Sequence, residues 1–221
     1  MSTDWHPSPN FGPRRDGARP DLVMIHYTAM RSAEGARDWL CAETSGVSAH
    51  YLIAENGRCW QLVEEEARAW HAGAGAWGEV TDVNSRSIGI ELANGGGQPF
   101  AAPQMAVLED LLAGIMSRWG IPPAGVIGHS DSALGRKIDP GPRFDWRRLA
   151  RRGLAIWPAM AAAGDFEAAA RRFGYRAEAE QGEALLAAFR MRFRPWASGP
   201  LDDTDRGLMA DLAARWPGPR I

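Results

Sequence analysis

Apolar and polar positions follow two regimes along the chain. Up to about residue 147, short apolar runs are separated by polar, glycine-rich joints. Leu22–Tyr27 is a continuous apolar run, as expected of a buried strand. Ser32–Glu43 fits a helix capped by Ser32. Ala49–Ala54 and Cys59–Val63 read as two strands joined by an Asn56-Gly57 hairpin turn. Residues 72–85 show no period and read as a loop, followed by a strand over Ser87–Leu92. Pro103–Trp119 is the clearest helix: proline in the first turn, glycine after the end, and one stripe of Met105, Leu108, Leu111, Leu112, Ile115 and Met116. Val126–His129 reads as a short strand and 130–142 as a long loop. From about residue 165 only helical spacing remains, over 165–173, 177–193 and 204–216, with Asp165 and Thr204 as candidate caps. Met1–Pro20 reads as an irregular arm.

Strands alternating with helices predict an α/β domain around one mixed sheet, with a small all-helical module behind it. The division falls at residues 1–155 and 156–221. The 221-residue length suits one large domain plus such an appendix. A formal net charge of −2 argues against a nucleic-acid binder relying on bulk basicity. No stretch approaches the ~20 apolar residues of a membrane-spanning helix. The first ten residues have neither a basic start nor an apolar core, so the expected location is the cytoplasm, the alternative being a periplasmic protein whose export signal has been removed. Two cysteines, Cys41 and Cys59, cannot organise a disulfide framework, and neither lies in a recognisable nucleophile context.

The chemistry concentrates at strand ends. His26 and His129 each close an apolar run, and Asp139 follows His129 by ten residues. Two imidazoles and one carboxylate suit Zn²⁺ and leave a fourth position for water, although a separation of 103 residues matches no local metal motif. Glu91 is an acid inside an otherwise apolar strand. It is either salt-bridged or a general base whose proton affinity is raised by its surroundings. Lys137, the only lysine in the chain, stands two residues before Asp139, where an extended segment would aim both at one place.

The blocks Val23-Met24-Ile25-His26-Tyr27-Thr28-Ala29, Ser48–Ile53, Ala69-Trp70-His71-Ala72-Gly73, Ser87–Leu92 and Gly128-His129-Ser130-Asp131 through Asp139-Pro140-Gly141-Pro142 occur in one order. That series resembles the zinc N-acetylmuramoyl-L-alanine amidases of the AmpD/AmiD type, relatives of peptidoglycan recognition proteins, over roughly residues 20–147. The resemblance implies one Zn²⁺ per chain on His26, His129 and Asp139, with Glu91 and Lys137 as catalytic residues. It further implies Tyr27 and His71 as substrate contacts, while Arg86 is a candidate for binding a peptide carboxylate. His50 is expected to be structural. The helical module resembles peptidoglycan-binding modules by position and length.

The implied activity is hydrolysis of the amide between N-acetylmuramic acid, in its 1,6-anhydro form, and L-alanine of the stem peptide, in cell-wall recycling. The expected partner is a muropeptide or peptidoglycan substrate. Two other readings stay open: an envelope amidase cutting polymeric peptidoglycan, and a non-catalytic recognition module.

Overall fold

A computed structural model describes residues 3–219. The strands are β1 (Asp4–Trp5), β2 (Phe11–Pro13), β3 (Leu22–Tyr27), β4 (Tyr51–Ile53), β5 (Cys59–Gln61), β6 (Ala67–Ala69), β7 (Ser87–Leu92) and β8 (Val126–Gly128). The helices are α1 (Ala33–Leu40), α2 (Val83–Arg86), α3 (Ala102–Trp119), α4 (His129–Ser132), α5 (Trp146–Arg151), α6 (Phe166–Phe173), α7 (Gly182–Phe193) and α8 (Asp203–Arg215). A six-stranded mixed sheet runs β1-β5-β4-β7-β3-β8, and only β4–β5 pair antiparallel within it. That pair is the hairpin expected at Asn56-Gly57.

Alternation along the strands separates two faces. Val23, Ile25, Ile88, Ile90 and Val126 pack with the apolar stripe of α3 and with Trp146 and Leu149 of α5. Leu22, Met24 and Ile127 point the other way, into a cluster with Phe166, Phe173, Phe189, Phe193, Met209 and Leu212 of α6–α8. The change of element type near residue 156 therefore does not coincide with a break in the core. The C-terminal helices cover one face of the sheet and bury its side chains.

Local signals hold at most ends. Ser32 caps α1, its Oγ accepting from Gly35 N–H at 3.1 Å. Gly120 ends α3 in the left-handed conformation, where glycine carries no Cβ penalty. The differences lie where pairing partners are remote in sequence. The amino-terminal arm is not wholly irregular: β1 adds to the sheet edge and β2 pairs antiparallel with β6. The loop over 72–85 closes with the short α2, capped by Asp82. α8 starts two residues earlier than a Thr204 cap would give, because Asp202 is the cap, accepting from Asp205 N–H at 2.9 Å. Among the described residues no helix is long and apolar enough to cross a membrane.

Candidate metal and catalytic site

Strand register builds the site. β3 pairs parallel with β7 so that His26 lies abreast of Glu91, and with β8 so that Ile25 lies abreast of Gly128. His129, one residue past β8, is thereby level with His26. Three functional side chains thus meet at the carboxyl edge of the sheet, where open α/β sheets bind their ligands. His26 and Glu91 share the sheet face of Leu22 and Met24, by strand alternation. Asp139 comes in from the loop after α4, tied back by Ser130 N–H donating to Asp139 O at 2.9 Å. These residues, with Tyr27, His71 and Lys137, line one cleft of about 460 Å³.

The donor atoms of His26, His129 and Asp139 lie within 4.8 Å of one another. Asp139 Oδ2 stands 2.8 Å from His26 Nδ1 and 3.1 Å from His129 Nδ1. Hydrogen bonds around the cluster fix both tautomers. His129 Nε2–H donates to Ala72 O at 2.8 Å, which leaves Nδ1 as a lone pair. On the other side, the Ser87 hydroxyl donates to Val83 O at 2.6 Å, so its oxygen accepts from His71 Nε2–H at 3.3 Å. His71 Nδ1 then accepts from His26 Nε2–H at 3.0 Å, and His26 Nδ1 is a lone pair as well. Burial and the neighbouring His129 push His26 down to about 4, so a proton does not resolve the convergence at neutral pH. Burial of Asp139 against two unprotonated nitrogens leaves its carboxylate without a hydrogen-bond donor from either imidazole. Two nitrogen lone pairs and one carboxylate oxygen converging on a single point fit a small cation, and the N₂O set suits zinc with a position left open.

Glu91 is half-buried, and its Oε2 is shielded from solvent without a hydrogen-bond partner. Burial and the Asp139 charge push this carboxyl up to about 8, against the pull of Lys137. A carboxyl so placed exchanges a proton near neutral pH. Lys137 is exposed on the cleft wall.

The remaining expected residues are placed differently. His71 lines the cleft, but both its ring nitrogens are committed to His26 and Ser87, and its ring lies against Gly89. A Cβ at residue 89 would meet His71 Cγ at 2.5 Å, which explains a glycine inside β7. Tyr27 lines the cleft and packs over Gly96. Arg86 is not brought to the cleft. It sits at the amino end of β7, its Nε donating to Asp21 Oδ1 at 2.9 Å. His50 accepts from Gly89 N–H at 2.9 Å and donates to Ala67 O at 3.1 Å, a saturated structural residue.

Spacing gave no sign of Asn84. Its buried Oδ1 accepts from His71 N–H at 3.0 Å and Ala72 N–H at 2.8 Å, holding the carbonyl that orients His129. Arg136 Nη2 donates to the same Ala72 O at 2.9 Å. Both contacts depend on loops distant in sequence.

Residues 16–142 match the family model for N-acetylmuramoyl-L-alanine amidase. The chain is 36% identical over 214 residues to the N-acetylmuramoyl-L-alanine amidase AmiD of Escherichia coli, covering 80% of this chain and 76% of that protein. It is 31% identical over 160 residues to the 1,6-anhydro-N-acetylmuramyl-L-alanine amidase AmpD of Citrobacter freundii, covering 65% and 86%. Among solved structures, E. coli AmiD in complex with the substrate anhydro-N-acetylmuramic acid-L-Ala-D-γ-Glu-L-Lys superposes with a TM-score of 0.82 at 31% identity, over 96% of this chain and 93% of that one. AmpDH3 of Pseudomonas aeruginosa in complex with anhydromuramic pentapeptide also gives 0.82, at 32% identity, over 92% and 94%. The match to the family model covers every strand-end residue of the site, and the coverage of the two structural matches takes in most of the C-terminal helical segment as well. The chain belongs to the N-acetylmuramoyl-L-alanine amidase family.

Proposed function

We propose that this enzyme hydrolyses the amide between N-acetylmuramic acid, in its 1,6-anhydro form, and L-alanine of a stem peptide, with one zinc ion held by His26, His129 and Asp139. The observation that carries the reading is the unpartnered, buried Glu91 Oε2 beside a convergence of lone pairs. Zinc bound there would acidify water towards pH ~7 and polarise the scissile carbonyl. Glu91 takes the proton of the attacking water and delivers it to the departing alanine nitrogen, breaking the C–N bond. Lys137 places its ammonium where the carbonyl oxygen gains negative charge. His71 and Ala72 O hold the two imidazoles in the tautomers that present Nδ1.

We assign the enzyme to recycling of soluble wall fragments in the cytoplasm. The substrate complexes of AmiD and AmpDH3, both with anhydro-sugar peptides, support that substrate class. Both cysteines are free thiols, as a reducing compartment allows. The test is mass spectrometry of products from anhydro-muramyl tripeptide and, in parallel, from intact sacculi, each with zinc and with chelator. Zinc-dependent release of peptide from the soluble fragment alone supports recycling. Release from sacculi favours an envelope amidase, and metal binding without turnover favours a recognition module.

A further inference from the structure

His129 stands on a short turn with little stability of its own, since β8 is three residues long and α4 a single turn. Asp131 holds that turn. Its Oδ2 accepts from Gly128 N–H at 2.8 Å, closing the step from β8 into α4. The rest of the carboxylate is taken by residues of the C-terminal helical segment. Arg192 of α7 donates through Nη1 to Asp131 Oδ2 at 2.7 Å, and the Tyr175 hydroxyl, just after α6, donates to Oδ1 at 2.7 Å. Arg192 Nη2 donates to Val126 O at 2.8 Å, at the other end of β8. The guanidinium is stacked 4.5 Å from the Trp146 ring and 4.7 Å from Phe193. Asp131, Tyr175 and Arg192 are all at most 2% exposed.

A buried ion pair is a weak source of net stability, because apolar side chains of equal volume often serve as well. What this pair does that apolar packing cannot is hold backbone groups at both ends of β8 in one geometry. The turn it holds also carries Ser130 N–H, which anchors Asp139. Two of the three converging side chains thus depend on it. We infer that Tyr175 and Arg192 are positioning residues: through Asp131 they place His129, so that the C-terminal helices set how tightly, and in what geometry, the catalytic cleft takes its metal. This rests on the metal reading above.

The test uses the full chain loaded with cobalt(II), and the variants Tyr175→Phe, Arg192→Lys and Leu212→Ala. Leu212 is fully buried on α8 in the same apolar cluster and has no hydrogen-bonding side-chain group, so it reports destabilisation alone. Expected for Tyr175→Phe and Arg192→Lys is an approximately tenfold loss of cobalt affinity in a chelator competition. Their visible cobalt band shifts, and kcat falls while KM stays within about twofold. Leu212→Ala lowers the melting temperature but keeps the affinity and spectrum of the unsubstituted protein. Unchanged cobalt binding in Tyr175→Phe overturns the inference, as does an equal loss in Leu212→Ala. If the unsubstituted protein takes up no cobalt and chelators leave its activity intact, the metal reading itself fails.

Discussion

Glu91→Gln separates what this site does for the reaction from what it costs the fold. In the metal-free protein the Glu91 carboxyl is raised from its ordinary 4.5 to about 8 by burial and by Asp139. The folded state therefore binds the proton more tightly than the unfolded chain. The favourable contribution of the neutral carboxyl is fully present below about pH 4.5 and is lost as pH rises through about 8. At 1.36 kcal/mol per pH unit, ionising this group in place costs up to about 5 kcal/mol, a bound reduced by relaxation and water entry. Even 2 kcal/mol corresponds to about 4–8 °C in the melting temperature of a chain this size. Glutamine is nearly isosteric and never ionises. With chelator present, Glu91→Gln should melt with the unsubstituted protein at pH 5 and several degrees above it at pH 9. Thermal melts across that range measure it. Parallel melting curves at every pH would refute the claim that Glu91 is an uncompensated carboxyl. With zinc restored, the same variant should keep its metal and lose turnover by about 10²–10⁴. Full activity in a zinc-loaded variant would refute the general-base assignment.

Four further outcomes are expected. His129→Ala removes one converging nitrogen, so elemental analysis should find metal and amidase activity lost together. Lys137→Met should lower kcat by about 10²–10³ with metal content unchanged; an effect confined to KM would make Lys137 a binding residue. Asn84→Ala leaves the backbone N–H groups of His71 and Ala72 unpaired, which should cost about 1–3 kcal/mol in denaturant unfolding and weaken metal retention. Alkylation at pH 7.5 should leave activity intact, because burial pushes the Cys59 thiol up to about 12 and also raises Cys41; inactivation by iodoacetamide would point to thiol chemistry.

Much of the sheet was legible from local pattern. β3 is a largely apolar run and β7 alternates around Ile88, Ile90 and Leu92, each six residues long and enough to announce a buried strand, and α3 carries its own stripe, proline start and glycine stop. The candidate ligands were legible for the same reason: a histidine closing an apolar run lies at a strand end. β1, β2 and β6 were not, because strands of two or three residues are held by partners dozens of residues away.

Local pattern along the chain was enough to show the residue types and where they fall: two imidazoles and a carboxylate as a candidate metal set, an acid in an apolar strand, one lysine, and the family resemblance. Tertiary structure decided which of them meet. Parallel register put His26 abreast of Glu91 and level with His129, whereas Arg86, the last residue of α2 just before β7, was left at the opposite edge of the sheet and paired with Asp21. It also decided the role of His71, whose two nitrogens serve His26 and Ser87, and the place of α6–α8, which share a core with the sheet. Periodicity reports how each segment partitions between water and core. Register, tautomer and shared burial arise only when distant segments meet, and no local pattern encodes them.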